Sequence, residues 1–341
     1  MQDFTIVPLD VARADHITGI ADLHNAVSAH RLRAWPETSP IEQLADRFFA
    51  GEFAKHLEWV ALSGDRIVGH VHGWLPVQDN THLAEVFLLV HPDHRRRGIG
   101  TALLEKFEKE AAAEGRETAM GWTPTSLPDG ERFDESGARF CEARGFEVSN
   151  VQIQRRVDLA SVDEEALDGV WAEAWERAGD YELIEYDGLP PEDALDGLAL
   201  LSTRMFTDMP LGDTDLRPAE FTGERIRREA LAEKRKGTVA VGAAVRHKPT
   251  GEIAGRTKIA VQPGAPDVVV QGMTIVLSDH RGHRLGAILK IANQRRLKRN
   301  FPGVKQVMTW NAESNEHMIA INEAVGYRPL VRDLEVQKKL G

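Results

Sequence analysis

The 341-residue chain carries twice an arrangement that leaves few folds open: an apolar strand, a short turn of arginine and glycine, and an amphipathic helix. In the first copy, Leu88-Leu89-Val90 leads through His91-Pro92-Asp93-His94 into Arg95-Arg96-Arg97-Gly98-Ile99-Gly100-Thr101 and an apolar helix start. Glycines in such a turn let the backbone approach an anion, so that successive N–H groups point at it. The helix that follows brings its positive dipole end to the same place. The stretch Leu89, Val90, Arg95, Arg96, Arg97, Gly98, Ile99, Gly100 and Thr101 therefore reads as a pyrophosphate cradle. No Lys-Ser or Lys-Thr follows the glycines, which disfavours a nucleotide-hydrolysing loop, and the GxGxxG spacing of dinucleotide folds is missing. A plain strand-turn-helix joint with solvated arginines would account for one copy alone.

The second copy, Ile275 to Leu289, repeats the apolar strand, the Asp-His-Arg approach, the final glycine and the apolar helix start. Its corresponding residues are Val276, Arg281, Gly282, His283, Arg284 and Gly286. Two copies in a chain too long for one small core point to a duplicated module and two domains. The flanking elements follow the same order. Arg66 to Trp74 and Leu57 to Leu62 make a hairpin about Ser63-Gly64-Asp65, as Thr238 to His247 and Glu252 to Val261 do about Pro249-Thr250-Gly251. Helical spacing of apolar residues marks Asp15 to Val27 and a stretch from Ser39-Pro40 through Phe49. It also marks 163–178, where Trp171 and Trp175 share a face.

Strand, Arg-x-x-Gly-x-Gly and helix in this order resemble the acetyl-coenzyme A loop of the GNAT acyltransferases, and the resemblance covers almost the whole chain outside a central connector. It implies an α/β (α+β) fold of two GNAT-like domains, each a mixed, mainly antiparallel sheet flanked by helices. The boundaries fall at 1–160, a helical connector at 161–179, and 180–341. It further implies an N-acetyltransferase in which an amine attacks the acetyl-CoA thioester directly, needing neither a metal nor a covalent enzyme intermediate. The segment Phe140-Cys141-Glu142-Ala143-Arg144-Gly145-Phe146 looks like the family's later motif. Cys141 stands where many members place a tyrosine as general acid; packing of a small helix residue explains it equally well. By the same resemblance Asn311 and Asn315 hydrogen-bond the pantetheine arm, with capping of the following helix by Ser314 or Asn315 as the alternative.

Glu85 alternates onto the face of Phe87 and Leu89, a carboxylate in apolar company. Burial raises a carboxyl pKa toward neutrality, which suits a base for an ammonium substrate; a partly solvated glutamate at the strand start is the alternative reading. Gln271 occupies the matching position in the second copy and cannot take a proton, Arg284 replaces the glycine matching Gly98, and Asn322 replaces Cys141. Chemistry is therefore expected in the first half. His70 and His72 point to one face of their strand, but spacing places no third ligand, so no metal site is expected.

A formal net charge of −11 argues against a nucleic-acid surface and is compatible with attraction of a cationic amine. The single cysteine excludes an internal disulfide, and no apolar run has membrane-spanning length. The expected partners are acetyl-CoA and a small-molecule primary amine, without nucleic acid or membrane, in the cytoplasm; self-association is left open. Two competing readings keep the fold. One is acetylation of a thiol precursor, resembling the tandem GNAT enzymes that complete mycothiol; the other is a non-catalytic CoA-binding protein.

Overall fold

Alternation along the strand segments sends successive side chains to opposite faces, and each face requires its own cover. The computed structural model, which describes residues 3–31, 53–264 and 267–341, provides it in two compact units. The first unit comprises Met1–Val151, Gly212–Arg217 and Arg332–Gly341; the second comprises Gln152–Leu211 and Pro218–Val331. The expected helix from Ser39-Pro40 lies outside the described residues.

In the first unit the sheet runs through β1 (Thr5–Pro8), β2 (Ala54–Ser63), β3 (Arg66–Pro76), β4 (Leu83–Val90) and β5 (Thr118–Thr125). It closes on residues 332–339 of the chain's last strand, β12 (Arg328–Lys339). All neighbours pair antiparallel except β4 and β5, which are parallel. Helix α1 (Ala14–Arg31) covers one face, burying Ile20, Leu23 and Val27 against Val60 and Ile67. Helix α2 (Ile99–Ala113) covers the other, burying Leu103, Leu104 and Phe107 against Val68, Val71 and Leu75. The short α3 (Ser136–Ala143) packs beside β5.

The second unit has the same order of pairing. Its strands are β7 (Tyr181–Asp187), β8 (Val239–His247), β9 (Ile253–Val261), β10 (Val268–Val276) and β11 (Gln306–Ala312). They close on residues 152–158 of β6 (Glu147–Asp158), and again only the β10/β11 pair is parallel. Helices α4 (Glu164–Glu176) and α7 (Leu285–Asn300) lie over one face, α5 (Leu195–Asp208) and α6 (Gly223–Arg235) over the other, and α8 (Glu316–Ala324) follows β11. Each unit is a mixed, mainly antiparallel sheet flanked by helices, as expected.

The units do not follow the linear boundaries 1–160, 161–179 and 180–341. Ladder hydrogen bonds place the last strand of the chain in the first unit and residues 152–158 in the second. The stretch expected to connect the domains is itself part of the second core. There α4 buries Leu167, and the Arg295 guanidinium sits 5.3 Å from the Trp171 ring centroid. Among the described residues no helix is long and apolar enough to cross a membrane.

Val336 on β12 is 4% exposed in the first core. Val336→Ala is expected to cost about 2 kcal/mol. Hydrogen exchange should accelerate along β5 and leave β11 unchanged; faster exchange at β11 would contradict the pairing.

Candidate active site

Each parallel pair holds only briefly. The β4/β5 ladder covers Leu83↔Thr118, Ala84↔Ala119 and Glu85↔Met120, and the β10/β11 ladder covers Val268↔Gln306 to Val270↔Met308. Beyond those points the strands part. The backbone groups of β4 and β10 that would have continued the ladder face a gap, and buried backbone polar groups call for partners.

At the open end of each gap lies an arginine-glycine turn. A 3-10 turn (Pro92–His94) joins β4 to α2, and Ser278–His280 joins β10 to α7. Both turns use two left-handed residues at matching positions. In the first copy they are Arg96 at φ 63° and Gly98 at φ 85°; in the second, Gly282 at φ 87° and Arg284 at φ 57°. Glycine and arginine have thus exchanged places, and the backbone shape persists. Arg284 is therefore no sign of a lost cradle, although a non-glycine residue there costs roughly 1 kcal/mol. A Cβ on Gly98 or Gly282 would meet nothing within 4 Å, leaving the space above the turn open. The first N–H groups of α2, at Ile99, Gly100 and Thr101, have no partner within their own helix.

The turn arginines are held by acidic partners. Arg95 Nη1 donates to Asp134 Oδ2 at 2.5 Å and to Ser136 Oγ at 3.2 Å, and its Nε donates to the Val90 carbonyl at 3.3 Å. Burial works to raise the Asp134 carboxyl pKa, but the Ser136 N–H, Arg95 and the Ser136 hydroxyl hold it at about 2. Arg281 pairs with Asp208 at 3.2 Å and Arg284 with Glu173 at 2.5 Å; Arg97 donates to the Asp93 carbonyl. His283 Nδ1 meets the Arg177 carbonyl at 2.9 Å, so it braces the turn from behind.

In the second unit the gap opens into a cavity of about 770 Å³, lined by Val276, Arg281, Gly282, Arg284, Gly286 and Asn315, among others. Gly286 packs closely there: a Cβ would fall 2.8 Å from Ile321 Cδ1, the mobile end of that side chain. Asn315 caps α8, its Oδ1 accepting from the Met318 N–H at 3.1 Å, while also lining the cavity. Asn311 departs from the expectation. It is buried, donates to the Ala312 carbonyl at 2.9 Å and accepts from Asn322 at 3.0 Å, so its polar atoms tie β11 to α8 instead of facing the cavity.

Glu85 and Gln271 do not occupy matching positions, contrary to the order of residues in the two copies. The β3/β4 register runs without interruption, whereas β10 bulges against β9 between Gln271 and Thr274. One extra residue turns every preceding side chain to the opposite face. Gln271 consequently points at α7, accepting from Lys290 Nζ at 2.9 Å and the Tyr327 hydroxyl at 2.6 Å and donating to Thr257 Oγ1 at 3.0 Å. It belongs to a buried polar knot, in which burial holds the Lys290 ammonium pKa down at about 7. Val270, 39% exposed, faces the side that Glu85 faces in the first unit.

Glu85 shares its face with Trp74 and Phe87, and Phe87 stacks on Trp122 at 5.7 Å. Burial first, and then the nearby Glu335 carboxylate, push its pKa up to about 7. Glu335, on β12, accepts from Trp122 Nε1 at 3.1 Å. Sequence order gave no hint of that neighbour, which arrives from the far end of the chain. Cys141 packs against the first apolar core from α3.

A family model described as acetyltransferase (GNAT) family matches residues 21–130. The chain is 26% identical to a mycothiol acetyltransferase from Saccharomonospora viridis over 96% of its length and 95% of that protein. A solved tandem GNAT protein from the clavulanic acid biosynthesis pathway superposes with a TM-score of 0.82, at 29% identity and 99% coverage of each chain. Residues 21–130 are therefore GNAT-like, and nearly the whole chain is similar to a tandem GNAT protein. These similarities support an N-acetyltransferase, and the fold is also shared by a GCN5-related N-acetyltransferase from Sphaerobacter thermophilus (TM-score 0.66, 15% identity, 100% and 96% coverage).

The Glu85 shift has a consequence for stability. Between pH 4.5 and 7 the folded carboxyl holds its proton when the unfolded one has lost it, so stability falls as pH rises through that window. Glu85→Gln removes the penalty. Relative to the parent, the variant should gain up to about 3 kcal/mol between pH 4.5 and pH 8 in urea unfolding. A difference that does not change with pH would contradict the buried carboxyl.

Proposed function

We propose that this tandem GNAT protein moves an acetyl group from acetyl-CoA to a primary amine of a small molecule by direct attack, with the transfer in the first unit. The observation that carries the reading is Glu85, with a pKa of about 7, on the strand that lines the gap above the Arg95 to Gly100 turn. The pyrophosphate would sit on the N–H groups of that turn and of the α2 start, with Arg95, Arg96 and Arg97 supplying positive charge. The pantetheine arm would fill the gap and complete the interrupted ladder. Glu85 would accept a proton from the acceptor ammonium, directly or through water, and the freed amine would attack the thioester carbonyl. Backbone N–H groups of β4 beyond Glu85 would receive the oxyanion. The Phe87 and Trp122 rings and the Glu85 and Glu335 carboxylates suit a cationic acceptor. Cys141, half-buried on α3 and packed against the first core, suits packing better than proton donation to the leaving thiolate.

The second unit would bind acetyl-CoA in its 770 Å³ cavity without a carboxylate in the place of Glu85. A second reading makes the acceptor a thiol precursor, as the name of the mycothiol acetyltransferase relative suggests; near-complete coverage of both chains favours it.

An amine panel that includes a sugar-linked cysteine should identify the acceptor. With it, activity should rise with pH through about 7 as Glu85 ionises, and Glu85→Gln should lower kcat by about a hundredfold or more. Full activity of that variant would overturn the assignment to the first unit.

A further inference from the structure

Strands β2 and β3 bring together side chains that lie apart in sequence. Cross-strand pairing sets Glu58 opposite His72 and His56 opposite Trp74, so His56, Glu58 and His72 rise from one face of two rigid, hydrogen-bonded strands. His56 Nδ1 lies 2.7 Å from His72 Nε2, and His72 Nε2 lies 3.6 Å from Glu58 Oε1. One ligand atom from each of the three falls within 4.8 Å of the others. The two rings stack at 5.0 Å with planes 3° apart, and the Trp74 ring meets His56 edge-on at 5.0 Å, which fixes the imidazoles in place. On the far side of the carboxylate, His70 Nε2 stands 3.7 Å from Glu58 Oε2, and His70 is almost fully buried.

We propose that His56, Glu58 and His72 bind one divalent transition-metal ion of the zinc class. Imidazole and carboxylate are the nitrogen and oxygen donors such ions take, and three protein ligands with one open position is the arrangement of a zinc site that admits an outside ligand. Ligand atoms around tetrahedral zinc stand about 3.4 Å apart. The His72 to Glu58 spacing already matches, and the two imidazole nitrogens need to open by well under 1 Å. The site lies on the face that carries Glu85, about two strand spacings away, or roughly 10 Å. The expectation of no metal rested on His70 and His72 alone. The structure replaces that pair with His72 and two residues of the neighbouring strand. The inference is independent of which unit transfers acetyl.

The test uses the untagged full chain stripped with a chelator, then dialysed against Zn²⁺ and, separately, Co²⁺. One ion per chain is expected, with Co²⁺ giving the intense visible bands of a tetrahedral site. His56→Ala, His72→Ala and Glu58→Gln should each weaken Zn²⁺ binding by tenfold or more, while His247→Ala, in the second unit, should leave it unchanged. Glu58→Gln keeps the side-chain shape, and far-ultraviolet circular dichroism on each variant separates loss of ligand from loss of fold. Zn²⁺ binding that survives all three substitutions at parental affinity, or its absence from the parent at micromolar ion, would overturn the site.

Discussion

The proposed acetyl transfer depends on two pairs of parallel strands that stop pairing. Parallel neighbours in a sheet normally continue their ladder to a common end, and here β4/β5 and β10/β11 separate after three residue pairs. The separation leaves backbone groups facing a gap, with an arginine-glycine turn and the start of a helix after it. A cofactor with a pyrophosphate at one end and an amide-bearing arm fits that geometry because it supplies charge for the turn and hydrogen bonds for the strands.

Duplication kept this frame and let its contents diverge. The two turns have the same pair of left-handed residues, with glycine and arginine exchanged between them, so they share a backbone shape while differing in glycine pattern. The strands above the turns differ more. The bulge in β10 takes Gln271 out of the position matching Glu85 and into a buried knot with Lys290, Tyr327 and Thr257. In the first unit the uninterrupted register leaves a carboxylate in that place, beside Phe87 and close to Glu335.

Much of the frame was legible from the chain. The period-two alternation of β3 and β4, the hairpin about Gly64, and the Arg95 to Gly100 turn are local signals, and the structure carries them where the residues indicate. Three features were not legible, each because it depends on distant pairing. A bulge is invisible in an apolar strand such as Val268 to Val276, and so the face of Gln271 was misassigned. The neighbourhood of Glu85 includes a residue 250 positions later, delivered when residues 332–339 join the first sheet. Asn311 carries the polar side chain expected of a cofactor contact, yet Asn322 satisfies it internally. The histidines followed the same rule: His72 finds its companions His56 and Glu58 through strand pairing alone.

The most direct test of the account is a crystal structure with acetyl-CoA bound. The account predicts the pyrophosphate on the Arg95 to Gly100 turn, the pantetheine arm between β4 and β5, and the thioester carbonyl on the side of β4 that carries Glu85. Acetyl-CoA seated only in the second unit, with the gap between β4 and β5 closed to it, would contradict the central claim.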